Sequence, residues 1–253
     1  MRPGLNTLRG IPAFQHLPDE VLREIDEIST VASADPGQEL CPEGVLPPCL
    51  YYVLEGRVTL STAAPDGSTA VIEVVEPPGD FGLAALVTQC PSLQAAHAVT
   101  RVRVLAISEA PLRGLLDRAP GLALALLRSL SKDYRSLVLH VRDLKVRTTA
   151  QRLGCYLLAL VPDPGASEAA LRLPFEKGLL AARLGCRQEN LSRAFAALRE
   201  LGVETRGARV TLRDVPRLTA YAMPDYLNHP ELAKNGAESA GAQIDTDSTP
   251  RCG

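Results

Sequence analysis

Residues 176–198 read EKGLLAARLGCRQENLSRAFAAL, two short amphipathic segments with a glycine between them. In each segment, leucine or phenylalanine recurs at steps of three and four, the period of an apolar helix face. Gly185 stands where the first helix must end, because the left-handed backbone of a tight turn costs little only for glycine. The stretch therefore predicts a helix-turn-helix whose second helix presents a polar face suited to DNA bases. A solvated helical hairpin is the alternative, and the surrounding sequence decides between them.

The charges divide along the chain. Residues 11–90 hold thirteen acidic side chains against two arginines, whereas residues 146–213 hold eleven basic side chains against six acidic ones. A basic part joined to an acidic part predicts that only the C-terminal part meets nucleic acid. The length of 253 residues with 46% hydrophobic residues suits two domains.

Several protein classes are not expected from the residue pattern. The six cysteines are scattered without metal-ligand spacing, which favours reduced thiols. There is no apolar run of about 18 residues and no apolar signal core, so we expect a soluble cytoplasmic protein without a membrane partner. An enzyme is not expected either, since no nucleophile–base pair, phosphate-binding glycine loop or metal-ligand cluster is recognisable.

The N-terminal half is rich in strand signals. Residues 1–12 are predicted to be a flexible arm, and Asp19 is predicted to cap a helix that ends near Ile28. Short β-branched or aromatic runs, separated by glycine turns, then continue to Ile107; they are Leu50–Leu54, Val58–Leu60, Val71–Val75 and Val102–Ile107. This spacing predicts a small antiparallel β-roll over residues 13–119 with a ligand pocket.

Residues 120–144 are predicted to form one long helix. Its apolar residues recur at alternating steps of four and three, a pattern that most often packs against a copy of itself. Packing on the β-roll alone is the alternative, and a hinge is expected at Asp143–Lys145. The predicted dimer interface consists of Leu127, Leu130, Tyr134, Leu137, Val141 and Leu144.

Residues 145–223 are predicted to form the DNA-binding domain. A helix is expected over 148–161 and a short strand over 171–175, before the helix-turn-helix. Residues 202–212 suggest a β-hairpin, or wing, whose Arg206 and Arg209 are candidates for phosphate contact. Residues 224–253 are polar and aperiodic, and we expect a disordered tail.

This α+β order of helix, β-roll, long helix and winged helix-turn-helix resembles the CRP/FNR superfamily of bacterial transcription factors. Gln188–Arg193 resembles the E-x-x-S-R motif of its FNR side, whose members bind palindromes of TTGA-like half-sites. The resemblance implies a homodimer that binds double-stranded DNA and works with RNA polymerase. It implies base-reading roles for Gln188, Glu189, Ser192 and Arg193 and phosphate contacts for Arg187 and Lys177, beside Arg206 and Arg209.

The effector region departs from the cyclic-nucleotide pattern of the superfamily. Gly82 and Ser92 stand where cyclic-nucleotide binders have the glutamate and arginine that hold ribose and phosphate. Without that arginine a buried phosphate lacks its charge-assisted partner, so cAMP is not expected. The predicted effector pocket consists of Gly82, Leu83, Leu86, Cys90, Ser92 and His97.

Other cofactors of the superfamily depend on cysteine or histidine ligands. The chain has no cysteine before Cys41, so the iron–sulfur cluster of FNR is not expected. The sequence resembles the dissimilative-nitrate-respiration regulators, a group that includes haem-dependent nitric-oxide sensors. A haem would need an axial ligand, for which His97 and His16 are the main candidates and Cys90 and Cys41 the alternatives. The alternatives are a metabolite- or cyclic-nucleotide-responsive regulator, or a ligand-binding module that acts through protein partners.

Overall fold

The computed structural model describes residues 1–64, 67, 69–163, 165–173 and 176–224. The predicted tail lies outside these residues from position 225 onward. The chain divides into two compact units, residues 1–144 with 178–186 and residues 145–177 with the chain from 187 onward. The predicted α+β class is confirmed. In the described part of the chain, no helix has both the length and the apolar character needed to cross a bilayer.

The first residues of the chain are part of the first unit. They form helix α1 (Leu5–Arg9), which precedes helix α2 (Asp19–Glu27). Leu8 and Ile11 are fully buried in the hydrophobic core, so the predicted flexible arm over 1–12 is corrected to a packed segment. Asp19 does not cap α2; Pro18 holds that position, and the Asp19 carboxylate pairs with the Arg9 guanidinium instead.

Eight strands in the described residues form the β-roll. They are β1 (Ser29–Ala34), β2 (Glu39–Cys41), β3 (Cys49–Glu55), β4 (Val58–Ala63), β5 (Thr69–Val75), β6 (Asp80–Phe81), β7 (Ala95–Ala98) and β8 (Val102–Ser108). Two antiparallel sheets result, with strand orders β1-β8-β3-β6 and β2-β7-β4-β5. The four predicted strands appear as β3, β4, β5 and β8. The others were missed because β1 and β7 consist mostly of small residues and β2 and β6 have only three and two residues, so they become recognisable only when a partner strand pairs with them.

Successive side chains of β3 point into two different hydrophobic clusters. Tyr51 points into the roll, where its ring stacks on Phe81 with the centroids 4.8 Å apart. Tyr52 points to the opposite face and meets Phe14 edge-on at 5.1 Å, among the side chains of the neighbouring helices. Successive strand residues face opposite sides of a sheet, so one residue step separates the two environments.

Three helices follow the strands of the first unit. They are α3 (Leu83–Thr88), α4 (Glu109–Arg118) and α5 (Pro120–Val146). Helix α5 has 27 residues, which corresponds to about 40 Å. It runs through the predicted hinge at Asp143–Lys145 and ends two residues beyond the predicted boundary at 144. None of these residues breaks a helix, whereas Thr148 begins the next one as its N-cap.

The remaining elements follow α5 in the chain. They are α6 (Thr149–Ala159), β9 (Ala169–Arg172), α7 (Lys177–Arg183), α8 (Gln188–Arg199), β10 (Val203–Arg206), β11 (Arg209–Leu212) and α9 (Val215–Ala222). Helix α6 packs on α8 and α9, and the strands form one antiparallel sheet in the order β10-β11-β9. Strand β9 begins two residues before the strand predicted over 171–175 and ends at Arg172; Pro174 and Phe175 of that prediction lie outside the described residues.

Candidate nucleic-acid interface and ligand cavity

Helix α8 has one buried and one exposed face. Its apolar residues Leu191, Ala194, Phe195 and Leu198 are all less than a tenth exposed, which anchors the helix in the second unit. The four residues predicted to read bases are all exposed on the same helix, and we call them the reading face; they are Gln188, Glu189, Ser192 and Arg193. Because side chains three and four positions apart are neighbours on a helix, Glu189, Ser192 and Arg193 form one contiguous patch.

The turn between α7 and α8 has the predicted backbone geometry. Gly185 has φ +60°, and the Cys186 N–H donates to the Ala181 carbonyl at 3.0 Å. This bond from residue 186 back to 181 closes the end of α7 as in a Schellman motif. The next residue, Arg187, is the extended N-cap of α8, so the glycine turn determines where the reading face begins.

Three arginines form a row across the sheet that contains the wing. In the sheet register Arg206 is opposite Arg209, and Arg209 is opposite Arg172. All three are exposed, and we call them the arginine row. Like charges directly opposite each other destabilise a sheet, so this row is best satisfied by an anion such as DNA phosphate. Arg172 was missed at the sequence level because its register with Arg209 depends on the pairing of β9 with β11.

An ion pair joins Glu204 of the wing to Arg213. Both guanidinium contacts of Arg213 to the Glu204 carboxylate are 3.2 Å long. Together with the charge of Arg213, these hydrogen bonds lower the pKa of the Glu204 carboxyl. Arg187 and Lys177, the other predicted phosphate contacts, are both exposed.

Two family profiles match this chain. That of the cyclic nucleotide-binding domain matches residues 31–119, and that of the Crp-like helix-turn-helix domain matches residues 151–221. The second range includes the reading face and the arginine row. The chain belongs to the CRP/FNR family.

The relatives of this CRP/FNR protein are transcription regulators. A CRP-like cAMP-activated global transcriptional regulator of Mycobacterium tuberculosis is 26% identical over 190 residues, which cover 74% of this chain and 85% of the relative. The global nitrogen regulator of Nostoc sp. is 27% identical over 156 residues, or 60% of this chain and 70% of the relative. This CRP/FNR protein is therefore a Crp-like DNA-binding transcription regulator.

Solved structures of the CRP/FNR family have the same fold. TTHA1359, a transcriptional regulator of the family from Thermus thermophilus, has a TM-score of 0.56 at 27% identity, covering 77% of this chain and 98% of that chain. FixK2 from Bradyrhizobium japonicum has a TM-score of 0.63 at 23% identity, covering 76% and 96%. The likeness to FixK2 concerns the fold alone.

Helix α5 of this regulator has an apolar face that the described residues of one chain leave uncovered. Leu127, Tyr134, Leu137, Val141 and Leu144 are between 39% and 67% exposed, and we call them the α5 stripe. The sixth predicted interface residue, Leu130, instead packs against the core of the first unit.

The six residues of the predicted effector pocket lie in different surroundings in the described structure. Leu83 and Leu86 are buried in the hydrophobic core, while Gly82 adopts φ +91° before α3. Cys90 is exposed, and the Ser92 hydroxyl donates to the Gln94 carbonyl at 2.7 Å. This pocket therefore stays a prediction of the sequence pattern.

The two candidate haem ligands lie in different surroundings. His97 alternates with the buried Ala96 and Ala98 along β7, and its Nε2 is 3.5 Å from the Glu39 carboxylate. It therefore faces away from the roll interior. His16 contacts Gln15 at 2.9 Å and lines the cavity described next, whose wall has acidic, basic and apolar side chains. Haem binding and nitric-oxide sensing therefore stay predictions of the sequence resemblance.

A cavity of about 660 Å³ lies in the first unit. Its walls come from residues 11–18, from the end of β5 with the loop before β6, and from the side of α5 between residues 121 and 136. None of the predicted effector residues except the haem candidate His16 lines it. Tyr52 of β3 and Arg183 of α7 complete the wall. Sequence reasoning missed the cavity because its walls come from segments far apart in the chain.

Tyr52 and Asp80 supply polar groups to this cavity. The Ser129 hydroxyl on α5 donates to Asp80 Oδ1 at 2.9 Å. Burial raises the pKa of the Asp80 carboxyl to about 6, against the lowering effect of the Ser129 bond and with support from the negative charges of Asp133 and Glu73. The Tyr52 hydroxyl is buried and makes no hydrogen bond with the described residues.

We expect Asp80→Asn to raise the free energy of unfolding by about 1–3 kcal/mol at roughly pH 7.5. The folded-state pKa of about 6 lies above the unfolded value, which is near 4. Between these two values the folded wild-type protein keeps a proton on Asp80 that the unfolded chain has lost. The free energy of unfolding of the wild type therefore falls as the pH rises through this range, and the loss is nearly complete above about pH 6. The gain should shrink below this pH and disappear below about pH 4.

Urea unfolding at a series of pH values measures this difference. Asp117→Asn is the matched control, because Asp117 is exposed on α4 and does not line the cavity. A gain that does not depend on pH would contradict the assigned pKa.

Proposed function

We propose that this protein is a homodimeric regulator that reads a palindrome of TTGA-like half-sites through α8. Arg193 would donate to guanine O6 and N7, Glu189 would accept from cytosine N4, and Ser192 would contact the edge of the half-site. The supporting observation is the common exposure of these three side chains on a helix whose opposite face is buried. Gln188 and Arg187 begin the same helix, where they reach neighbouring bases or phosphates.

The α5 stripe is the proposed dimer interface. Its five apolar side chains follow heptad spacing along one helix and are exposed in the single chain. A second copy of α5 would bury both stripes and place two reading faces on one palindrome, whose half-sites lie about 34 Å apart. As a regulator of this kind it would act together with RNA polymerase.

The signal that controls DNA binding is proposed to be something other than a cyclic nucleotide. Gly82 and Ser92 cannot supply the carboxylate and guanidinium that hold ribose and phosphate. Within the roll, the stacked rings of Tyr51 and Phe81 belong to a buried apolar cluster. Burying an unpaired phosphate against such a cluster is unfavourable.

Salt dependence tests the DNA-binding proposal. We expect the logarithm of the association constant for a TTGA palindrome to fall steeply with the logarithm of salt concentration, because arginine–phosphate contacts release counterions. Arg209→Ala, at the centre of the arginine row, should reduce that slope by about 2 in a dimer, since each lost phosphate contact contributes about 0.9. Fluorescence anisotropy titrations at several salt concentrations measure the slope.

Arg217→Ala is the control for this measurement. Arg217 is an exposed arginine on α9, outside the reading face and the arginine row, and its loss should leave the slope unchanged. If the wild-type protein shows no salt-dependent DNA binding at all, the alternative of a ligand-binding module that acts through protein partners is favoured.

A further inference from the structure

The cavity of the first unit contains a buried hydroxyl without a partner. Tyr52 is 1% exposed, lines the cavity, and its hydroxyl finds no hydrogen bond among the described residues. The edge-on contact with Phe14 holds its ring in place. Buried polar groups in folded proteins are nearly always hydrogen-bonded, so an unpaired hydroxyl at a cavity wall points to a ligand that completes it.

The charges beside this hydroxyl determine which ligand fits. Four acidic side chains line the cavity: Glu73, Glu76, Asp80 and Asp133. Burial is the largest cause of the raised pKa of Asp80, Glu73 and Asp133, and the charge of Asp133 adds to it at Asp80 and Glu73. Lys132 opposes the shift at Asp80 and Asp133, and Arg183 opposes it at Glu73. A cation placed among these carboxylates would relieve their repulsion. The basic side chains that line the cavity are exposed, as Glu73 and Asp133 are; they are Arg128, Lys132 and Arg183. Asp80 is partly buried beside the Tyr52 ring, so it is the carboxylate that a ligand at the Tyr52 hydroxyl would meet.

The geometry favours an organic cation over a metal ion. In the described part of the chain, no three His, Cys, Asp or Glu side chains are placed to hold one metal ion together. The cavity wall also includes apolar side chains, among them Ile11, Leu17 and Leu124. A ligand with a charged end and an apolar body matches both parts of this wall.

We propose that this cavity binds a small organic amine whose ammonium group donates to Asp80 and Tyr52 and whose apolar body packs on Ile11, Leu17 and Leu124. A primary ammonium has three donors, enough for the carboxylate and the phenol oxygen at once. The wall includes Ser129 and Asp133 of α5, the helix that also carries the α5 stripe. An effect of the amine on DNA binding therefore rests on the proposed function. Binding of the amine to the cavity does not.

Isothermal titration calorimetry of the full-length protein with tyramine tests this proposal. Tyramine has an ammonium group on a small aromatic body, and we expect a Kd of about 1 mM or tighter. The charge-reversed probe 3-(4-hydroxyphenyl)propionate has the same ring with a carboxylate, and it should bind at least about 10-fold more weakly. Absence of tyramine binding up to about 10 mM, or equal binding of the two probes, overturns the proposal.

Variants locate the site. Asp80→Asn keeps the side-chain shape and should weaken tyramine binding by about 10-fold or more, because it removes the charge-assisted bond. Tyr52→Phe should weaken it by about 3- to 10-fold through the loss of one hydrogen bond. Asp117→Asn, away from the cavity, should bind as the wild type does; unchanged binding by Asp80→Asn would refute the assignment.

The two proposals fail in distinguishable ways. Tyramine binding without any DNA binding would overturn the proposed function and support the amine site. DNA binding without tyramine binding would support the proposed function and overturn the amine site.

Discussion

Arg193→Ala is expected to abolish the preference for a TTGA palindrome over a scrambled sequence. A bidentate arginine–guanine contact contributes about 1–3 kcal/mol of base discrimination, or roughly 10- to 100-fold for each half-site. A palindrome contains two half-sites, so the specificity ratio of the dimer should fall by about 100-fold or more. The side chain is exposed on α8, beside the buried Ala194, so its removal should leave the folded core intact.

Competition gel shifts at one fixed salt concentration measure this ratio. Arg209→Ala in the arginine row is the matched control, because loss of a phosphate contact weakens both sequences equally and leaves their ratio unchanged. If Arg193→Ala keeps the wild-type ratio, the recognition helix has been assigned wrongly. Circular dichroism of both variants checks that the helices remain.

Leu137→Asp is expected to convert the protein to a monomer at micromolar concentrations. Leu137 is 55% exposed in the single chain and lies in the α5 stripe. In a parallel pair of α5 helices, two carboxylates would face each other in an apolar seam, where charges lack both water and a partner. Affinity for the full palindrome should then fall by about 100- to 10,000-fold, because the second half-site is no longer held near its reading face.

Size-exclusion chromatography with light scattering gives the mass, and anisotropy gives the DNA affinity. Leu93→Asp is the matched control, since Leu93 is 85% exposed and lies outside α5. It should remain dimeric and bind DNA as the wild type does. A dimer that survives Leu137→Asp would show that the α5 stripe is covered in another way.

Local patterns were enough to predict the DNA-binding elements. The steps of three and four around Gly185 predicted α7, the turn and α8, and the Arg206–Gly207 turn predicted the wing. Helix periodicity and glycine turns depend on neighbours only a few residues away, so they can be recognised in the sequence. The exposure of Arg193 follows from the same periodicity.

Other elements of the first unit could be recognised only from the tertiary structure. Helix α1 is too short for its pattern to stand out, and only the burial of Leu8 and Ile11 shows that it is packed. Similarly, β1 and β7 contain mostly small residues and become strands by pairing with β8 and β4. Pairing and burial depend on segments far apart in the chain, which local propensity does not record.

By itself, the sequence determined that this protein has a β-roll, a long apolar-striped helix and a helix-turn-helix with an exposed polar face, because each is encoded by spacing between near neighbours. Only the tertiary structure decided which side chains meet across those segments. It aligned Arg172 with the wing arginines and joined Tyr52, Asp80 and Ser129 around one cavity. Such sites depend on strand register and on helix packing, which are set by contacts between distant parts of the chain.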